Sequence, residues 1–395
     1  MAGLIFTYTG FLLLNRDHTA ITNSAVYMPL ILFLLDRLKS APSLKGALYL
    51  SLTVAFQFFA GNFQICFYTY MISGIFILFT VLSQRNKASF SFVAYGALGF
   101  FAGSIMFFPQ LISTMELSKG SWMGATKIYR GYDYFSYFHA YGFMLPSLLL
   151  PKILNGIGVH DLRPFNTGTA TFIFALCTMF AMIRHDKRVL LWSIIAAVGL
   201  VLALNEEIEF LNRFMFQVPV YNIIRVHGRN LVELSLALSM LTAIGLDKAL
   251  YSNNESTRRF SKIMIASAAS LLIITIVSVA ALPYFDNEMI TTYLTSKGAS
   301  NPGVIGNITL SSSKVIVPLA IMSFIAALGI LIVRHRSQTL KYMAVAIIVG
   351  DIIYCIGGFG SISAGSIKSS NLCENEPFYE FQSDTDYHRV ANINH

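Results

Sequence analysis

Charge is scarce in this chain of 395 residues: only 12% are Asp, Glu, Lys or Arg, whereas 55% are hydrophobic. Ordinary soluble domains carry about 25% charged residues. A soluble core could not bury this much apolar surface, so the composition excludes an ordinary soluble domain. It predicts an all-α, polytopic membrane protein.

Cysteine is also scarce, and the four cysteines lie far apart with no metal-ligand spacing. Cys66, Cys177 and Cys355 fall in apolar segments, where we expect packing roles. No basic stretch precedes the apolar residues 2–6, so no cleavable signal peptide is predicted. The net charge of +8 does not indicate nucleic-acid binding, because the basic residues are distributed between hydrophobic segments.

Hydrophobic runs are abundant, and they predict about eleven transmembrane helices. The segments are 2–14, 24–38, 45–61, 66–83, 90–112, 168–184, 189–204, 230–250, 263–283, 313–333 and 342–358. With a cytoplasmic N-terminus, the short inner loops hold 15 basic and four acidic residues, a net +11, and the rest of the chain is −3. This alternation follows the positive-inside rule and predicts an extracytoplasmic C-terminus.

The two ends suggest a piece of a longer protein. The first apolar segment is shorter than the roughly 20 residues that a helical crossing needs, so we expect its beginning to lie before Met1. Residues 359–395 are polar and are expected to begin a truncated extracytoplasmic segment. The predicted domains are therefore a helical membrane domain at 1–358 and this segment at 359–395.

Ionisable residues are rare inside the apolar segments. Asp351 is the one predicted to lie deep in a span, as a helix–helix hydrogen-bond partner or at a misplaced span end, and Glu233 lies one turn inside. Coupled transporters usually place several polar groups or broken helices at the membrane midplane. Their scarcity favours chemistry or binding at the outer surface.

A cationic cluster is therefore the strongest candidate site. Residues 225–229 place Arg225, His227 and Arg229 directly before the apolar segment 231–250. Guanidinium groups bind phosphate in bidentate fashion, and the helix N-terminus adds N–H donors. The alternative is that the arginines anchor the helix to lipid phosphates, although the predicted outer position disfavours basic anchors. We predict that these three residues bind an anionic ligand, such as a phosphate, at the membrane surface.

Five further residues in the outer loops are candidates for substrate binding. Asp17 and His18 fit metal or ligand binding, or a solvated turn. Asn62 and Gln64 fit hydrogen bonds to a polar ligand, or a polar tight turn. Glu116 fits a base or a metal ligand, or the ion-pair partner of an arginine.

Several short motifs occur in a characteristic order over residues 1 to about 250. They are Gly61-Asn62-Phe63-Gln64 with Phe67-Tyr68, Glu116-Leu117-Ser118 after Pro109-Gln110, residues 132–138 before the Pro146/Pro151 segment, Pro219-Val220-Tyr221-Asn222, and residues 225–229 running into Gly245-Leu246-Asp247. In this order the chain resembles YfhO-type bacterial membrane proteins, members of the GT-C glycosyltransferase superfamily. From residue 251 onward the resemblance is one of general layout.

The resemblance implies a GT-C-like fold with interfacial helices in the outer loops. It also implies transfer of a sugar from a polyprenyl-phosphate carrier to a cell-envelope polymer, such as teichoic acid, at the outer face of the cell membrane. Under this resemblance, the phosphate of the donor would be bound by Arg225, His227 and Arg229. Sugar hydroxyls would be bound by Asn62 and Gln64, and the acceptor or a metal by Asp17 and His18. Membrane lipid, the carrier and the polymer are the implied partners. No catalytic residue is assigned, because the family's catalytic acid lies in a first outer loop that we expect to precede this chain. No cofactor is assigned either, although a divalent metal would be compatible.

Two other functions stay open at the level of sequence. A transporter or flippase for a lipid-linked precursor would need a polar path through the membrane. A non-catalytic membrane scaffold would need neither that path nor a catalytic acid.

Overall fold

The computed structural model describes residues 1–15, 18–83, 87–120, 132–136, 140–154, 167–219, 221–224, 226–251, 255–296, 303, 305, 308–334 and 338–356. This part of the chain is all-helical, as predicted. Its α-helices are α1 (Ala2–Thr7), α2 (Gly10–Leu14), α3 (Thr19–Ser40), α4 (Leu44–Phe59), α5 (Phe63–Ser83), α6 (Lys87–Gly120), α7 (Tyr132–Phe135), α8 (Thr169–Met182), α9 (Lys187–Ala203), α10 (Glu209–Gln217), α11 (Leu231–Tyr251), α12 (Glu255–Ala281), α13 (Asn287–Ser296), α14 (Ser313–Arg334) and α15 (Gln338–Ile356).

Helices occupy all eleven predicted apolar segments. Within the described residues, six helices are long and apolar enough to cross a membrane: Thr19–Ser40, Phe63–Ser83, Phe90–Thr114, His227–Lys248, Arg259–Tyr284 and Ser313–Ile332. The helices in the other five segments are shorter, so a count of eleven crossings stays a prediction. The predicted segment 359–395 lies outside the described residues.

The first predicted segment, 2–14, differs from a single helix. α1 ends at Thr7 and α2 begins at Gly10, with Thr9 in an extended conformation between them (φ −66°, ψ 152°). The Thr9 hydroxyl donates a hydrogen bond to the Phe6 carbonyl at 2.9 Å. Threonine and glycine are weak helix formers, which accounts for a break that uniform hydrophobicity could not reveal.

The connections that the sequence predicts to be outer loops contain short helices, among them α7, α10, α13 and a 3₁₀ helix at Gly142–Leu148. The 3₁₀ helix at Gly142–Leu148 includes Pro146 and is too short to cross a membrane. The amphipathic helix α10 does not coincide with any of the predicted apolar segments. It exposes Phe210 and Phe214, while its Asn212 is buried and donates hydrogen bonds to the Tyr132 and Ser136 hydroxyls.

α11 is the central helix of the bundle. It packs along α8 and α9 and also contacts α1, α12 and α15. Within His227–Lys248, 78% of the residues in its apolar 18-residue stretch are buried, against 22–44% in the corresponding stretches of the other five long helices. Those helices expose apolar side chains on their outer faces, as lipid-facing helices do. The residues just before α11 are therefore held by the packed centre of the molecule.

Asp351 connects two helices. Its Oδ2 atom accepts a hydrogen bond from the Ala170 N–H at 2.7 Å, so the carboxylate of α15 caps the N-terminus of α8. Gly168, which precedes α8, has a φ of +94°, and a Cβ there would lie 2.5 Å from the same oxygen. Of the two alternatives for Asp351, helix–helix hydrogen bonding is confirmed. The predicted packing cysteines Cys66, Cys177 and Cys355 are buried.

Candidate functional site

The candidate site surrounds the turn that leads into α11. A 3₁₀ helix at His227–Asn230 continues directly into α11, and Val226 precedes it in the left-handed region (φ 60°, ψ 60°). A β-branched residue rarely adopts this conformation, which costs about 1–3 kcal/mol. The surrounding contacts must therefore hold the turn in place. Such strain is concentrated at functional sites, which makes this turn a good candidate for one.

Gln64, at the start of α5, connects the polar turn at residues 61–64 with the cationic cluster at residues 225–229. The Arg229 Nη1 donates to Gln64 Oε1 at 2.7 Å. The Gln64 Nε2 donates to the Tyr68 hydroxyl at 2.7 Å and to the Val226 carbonyl at 3.2 Å. One amide side chain thus orients the guanidinium and also supports the strained turn. Arg229 itself is half-buried at the end of the bundle.

Asn230 extends the network inward. Its Nδ2 donates to the His227 carbonyl at 2.9 Å and to the Tyr68 hydroxyl at 3.2 Å, and it lies 3.5 Å from the Tyr221 hydroxyl. Burial raises the pKa of the Tyr221 phenol, so this group stays protonated at neutral pH and is available as a hydrogen-bond donor. The site therefore combines a guanidinium, two amides and two phenols.

His227 is fully buried behind the arginine. Its ring stacks on Tyr221 with the ring centroids 5.4 Å apart, and its edge packs against Phe135. The Nε2 atom is within hydrogen-bonding distance, 3.0 Å, of the Phe135 carbonyl. The described contacts give His227 a packing role in fixing the turn, and its predicted contact with a phosphate stays a prediction.

Glu233 lies one turn farther along α11 and is fully buried. It follows Arg229 by four residues and Asn230 by three, so all three lie on one helix face. Neither carboxyl oxygen has a hydrogen-bond partner among the described residues. The carboxyl is close enough to the phenols of Tyr68 and Tyr221 to interact with both electrostatically. A buried acid of this kind in a membrane-type helix is a functional candidate.

Close packing of α9 fixes the position of this helix face. Gly199 of α9 lies against α11, where a Cβ would be 2.9 Å from the Leu234 nitrogen, 3.0 Å from the Glu233 Cβ and 3.1 Å from the Asn230 carbonyl. These distances are shorter than nearly all real Cβ contacts. Only glycine allows the two helices to approach this closely beside Glu233.

The structure places the other predicted residues differently. Asn62 Oδ1 accepts from the Ile65 N–H at 3.0 Å, and its backbone N–H donates to the Ser24 hydroxyl at 3.2 Å, so Asn62 stabilises the start of α5. His18 is exposed before α3, and Glu116 is exposed near the end of α6. No ion pair to Glu116 is found in the described part of the chain. Arg225 and Asp17 lie outside the described residues.

Tyr68, Tyr221, Asn230 and Glu233 were not predicted as site residues. The spacing of Gln64 and Tyr68 by four, and of Arg229 and Glu233 by four, was a usable signal because such pairs share a helix face. No feature of the sequence indicates that α5 and α11 lie next to each other. In the described ranges, no three His, Cys, Asp or Glu side chains come close enough to hold a metal ion together.

Comparison with known proteins gives no relative for this chain. No protein-family model matches it, and no curated protein or solved structure is significantly similar.

Proposed function

We propose that this protein is a GT-C-like glycosyltransferase that moves a sugar from a polyprenyl-phosphate carrier to a cell-envelope polymer such as teichoic acid. The observation that carries the proposal is the hydrogen-bond network before the central helix. In it, Arg229 donates to Gln64, and Gln64 and Asn230 both donate to the Tyr68 hydroxyl. A guanidinium suits the carrier phosphate, because it forms charge-assisted bonds with phosphate oxygens. Amides and phenols suit the hydroxyls of a sugar.

Glu233 is included in this site as a hydrogen-bond acceptor for the ligand. Its two oxygens lack hydrogen-bond partners among the described residues, although a buried polar group without a partner costs about 1–3 kcal/mol. A hydroxyl group of the sugar would satisfy one of them. The motif order that resembles YfhO-type proteins supports the same substrate class. The catalytic acid itself is not assigned to any described residue.

The membrane placement belongs to the proposal. The bundle crosses the cell membrane with a cytoplasmic N-terminus and an extracytoplasmic C-terminus, and the candidate site lies at its outer end. Support comes from the six long apolar helices and from the excess of basic residues in alternate loops. Membrane lipid, the lipid-linked sugar and the polymer acceptor are the corresponding partners.

The test follows radiolabel from polyprenyl-phosphate sugars into envelope polymers in membranes containing the full-length protein. Arg229→Ala should lower transfer by about 10²–10³-fold, the usual loss when one donor to a developing negative charge is removed. Arg229→Lys should retain part of the activity because it keeps the charge but loses the planar fork. Arg225→Ala should also lower transfer.

Arg213→Ala is the matched control. Arg213 is exposed on α10 and is bonded to Glu209 at 2.6 Å rather than to the candidate site. It should leave transfer close to the wild-type rate. Equal rates in the wild type, Arg229→Ala and Arg225→Ala would refute the phosphate site.

A lipid-linked sugar flippase is the second candidate, favoured by one observation. Glu233 is an ionisable group buried in a long apolar helix, and such groups often mark substrate paths in transporters. In sealed vesicles, a flippase would move a fluorescent lipid-linked sugar between leaflets without forming polymer. A non-catalytic scaffold would show neither transfer nor flipping.

A further inference from the structure

A cationic pocket lies at the opposite end of the bundle from the candidate site. It has a volume of about 290 Å³ and is lined by Phe180, Ala181, Ile183, Arg184, His185 and Arg259. These residues come from the end of α8, the turn after it and the first part of α12. The last turns of α11 reach this end of the molecule, where Lys248 is bonded to Asp186. The pocket is therefore separated from Arg229 by the length of α11.

The positive charge of the pocket is not offset by the acid beside it. Asp186 accepts from the Arg188 N–H at 2.8 Å and pairs with Lys248 and with the Arg188 guanidinium. Arg259 Nη1 instead lies 3.3 Å from the His185 Nε2. Among the described residues, no carboxylate lies within ion-pair distance of Arg184 or Arg259. Two guanidinium groups in one pocket thus favour an anion between them.

The walls of the pocket point to the chemistry of that anion. Phe180 is 65% exposed and, with Ile183, provides an apolar side next to the charged one. A free anion would use only the charged side, whereas a phospholipid would use both. Basic pockets between membrane helices commonly bind lipid head groups.

We propose that this pocket binds the phosphate of an anionic phospholipid, with Arg184 and Arg259 holding the head group and Phe180 and Ile183 contacting its glycerol and acyl part. The guanidinium groups donate charge-assisted hydrogen bonds to the phosphate oxygens. Phe180 of the apolar wall is exposed on the outside of the bundle, where an acyl chain could contact it. Bound there, the lipid bridges α8 and α12 and joins the turn at 183–186 to the neighbouring helix.

The experiment uses the purified full-length protein in phosphatidylcholine nanodiscs with or without phosphatidylglycerol. Lipid retention is measured by native mass spectrometry, and affinity by titration with a fluorescent phosphatidylglycerol. The double variant Arg184→Gln/Arg259→Gln should bind phosphatidylglycerol about 30-fold more weakly, since each basic residue near an anionic head group contributes about fivefold. Arg184→Lys/Arg259→Lys should fall between the two.

The control Arg37→Gln/Lys45→Gln removes two cations at the same end of the bundle but outside the pocket. It should bind the lipid within about twofold of the wild type. Equal losses in the control and the pocket variant would indicate diffuse attraction and overturn the proposal.

A competition with inorganic phosphate distinguishes the two sources of the phosphate group. Displacement of the lipid only at a large excess of phosphate supports the lipid assignment. Binding of phosphate as tight as that of the lipid would overturn it. Thermal unfolding of each variant in phosphatidylcholine alone checks folding, and wild-type protein that binds neither anion would also refute the site.

Discussion

The buried carboxyl of Glu233 leads to the sharpest prediction. It is fully buried, and both of its oxygens lack hydrogen-bond partners among the described residues. Leaving a buried polar group unpaired costs about 1–3 kcal/mol, and more if it is charged. Leucine has a similar volume and removes that cost, while Tyr68 and Asn230 keep their hydrogen bond to each other. Glu233→Leu should therefore increase the free energy of unfolding by about 1–3 kcal/mol.

Function should change in the opposite direction. If Glu233 accepts a hydrogen bond from the ligand, Glu233→Leu should reduce sugar transfer at least about tenfold, which corresponds to one lost hydrogen bond of about 1.4 kcal/mol. Glu233→Gln should stay within about 1 kcal/mol of the wild type in stability, because its amide is equally buried, and should retain part of the activity. Such a trade between stability and activity is expected where a site residue is poorly satisfied without its ligand.

The assay is denaturant unfolding in mild detergent, where the unfolded chain hydrates the carboxyl, together with the transfer assay on the same preparations. A Glu233→Leu variant that is less stable than the wild type by more than about 1 kcal/mol would contradict the reasoning. That result would mean that the carboxyl stabilises the resting fold. A stabilised variant with full activity would remove Glu233 from the site.

Two further predictions concern the close packing of α9 against α11 and the ion pair of Asp186 with Lys248. Gly199→Ala should destabilise the protein by about 1–3 kcal/mol through overpacking against α11, measured by thermal unfolding, whereas Gly74→Ala, which meets nothing within 4 Å, should be neutral or stabilising. Burial pushes the pKa of Asp186 up, but bonds from Lys248 and the Arg188 N–H outweigh it and lower the pKa overall. Asp186→Asn should therefore be less stable than the wild type above about pH 4, and the difference should disappear as the pH falls through the lowered pKa. A difference that persists at low pH would contradict the role of the charge.

Part of the candidate site could be predicted from sequence. Arg229 stands out because it belongs to a dense cationic stretch in a chain with little charge, and Gln64 because it lies in a polar turn between apolar segments. The two residues are hydrogen-bonded to each other in the candidate site. Asn62, predicted alongside Gln64, stabilises the start of its own helix instead. The sequence could not separate these two roles, because both residue types occur in helix-capping turns and in binding sites.

The sequence by itself determined the all-helical class and the position of the apolar segments, because hydrophobicity and helix propensity are local properties of the chain. Only the tertiary structure decided which residues form a site. It brings Arg229 to Gln64 across 165 residues, buries Glu233 beside two phenols, and turns Asp351 into the cap of a distant helix. These relations depend on how the helices pack around α11, and packing of distant segments leaves no local trace in composition or spacing.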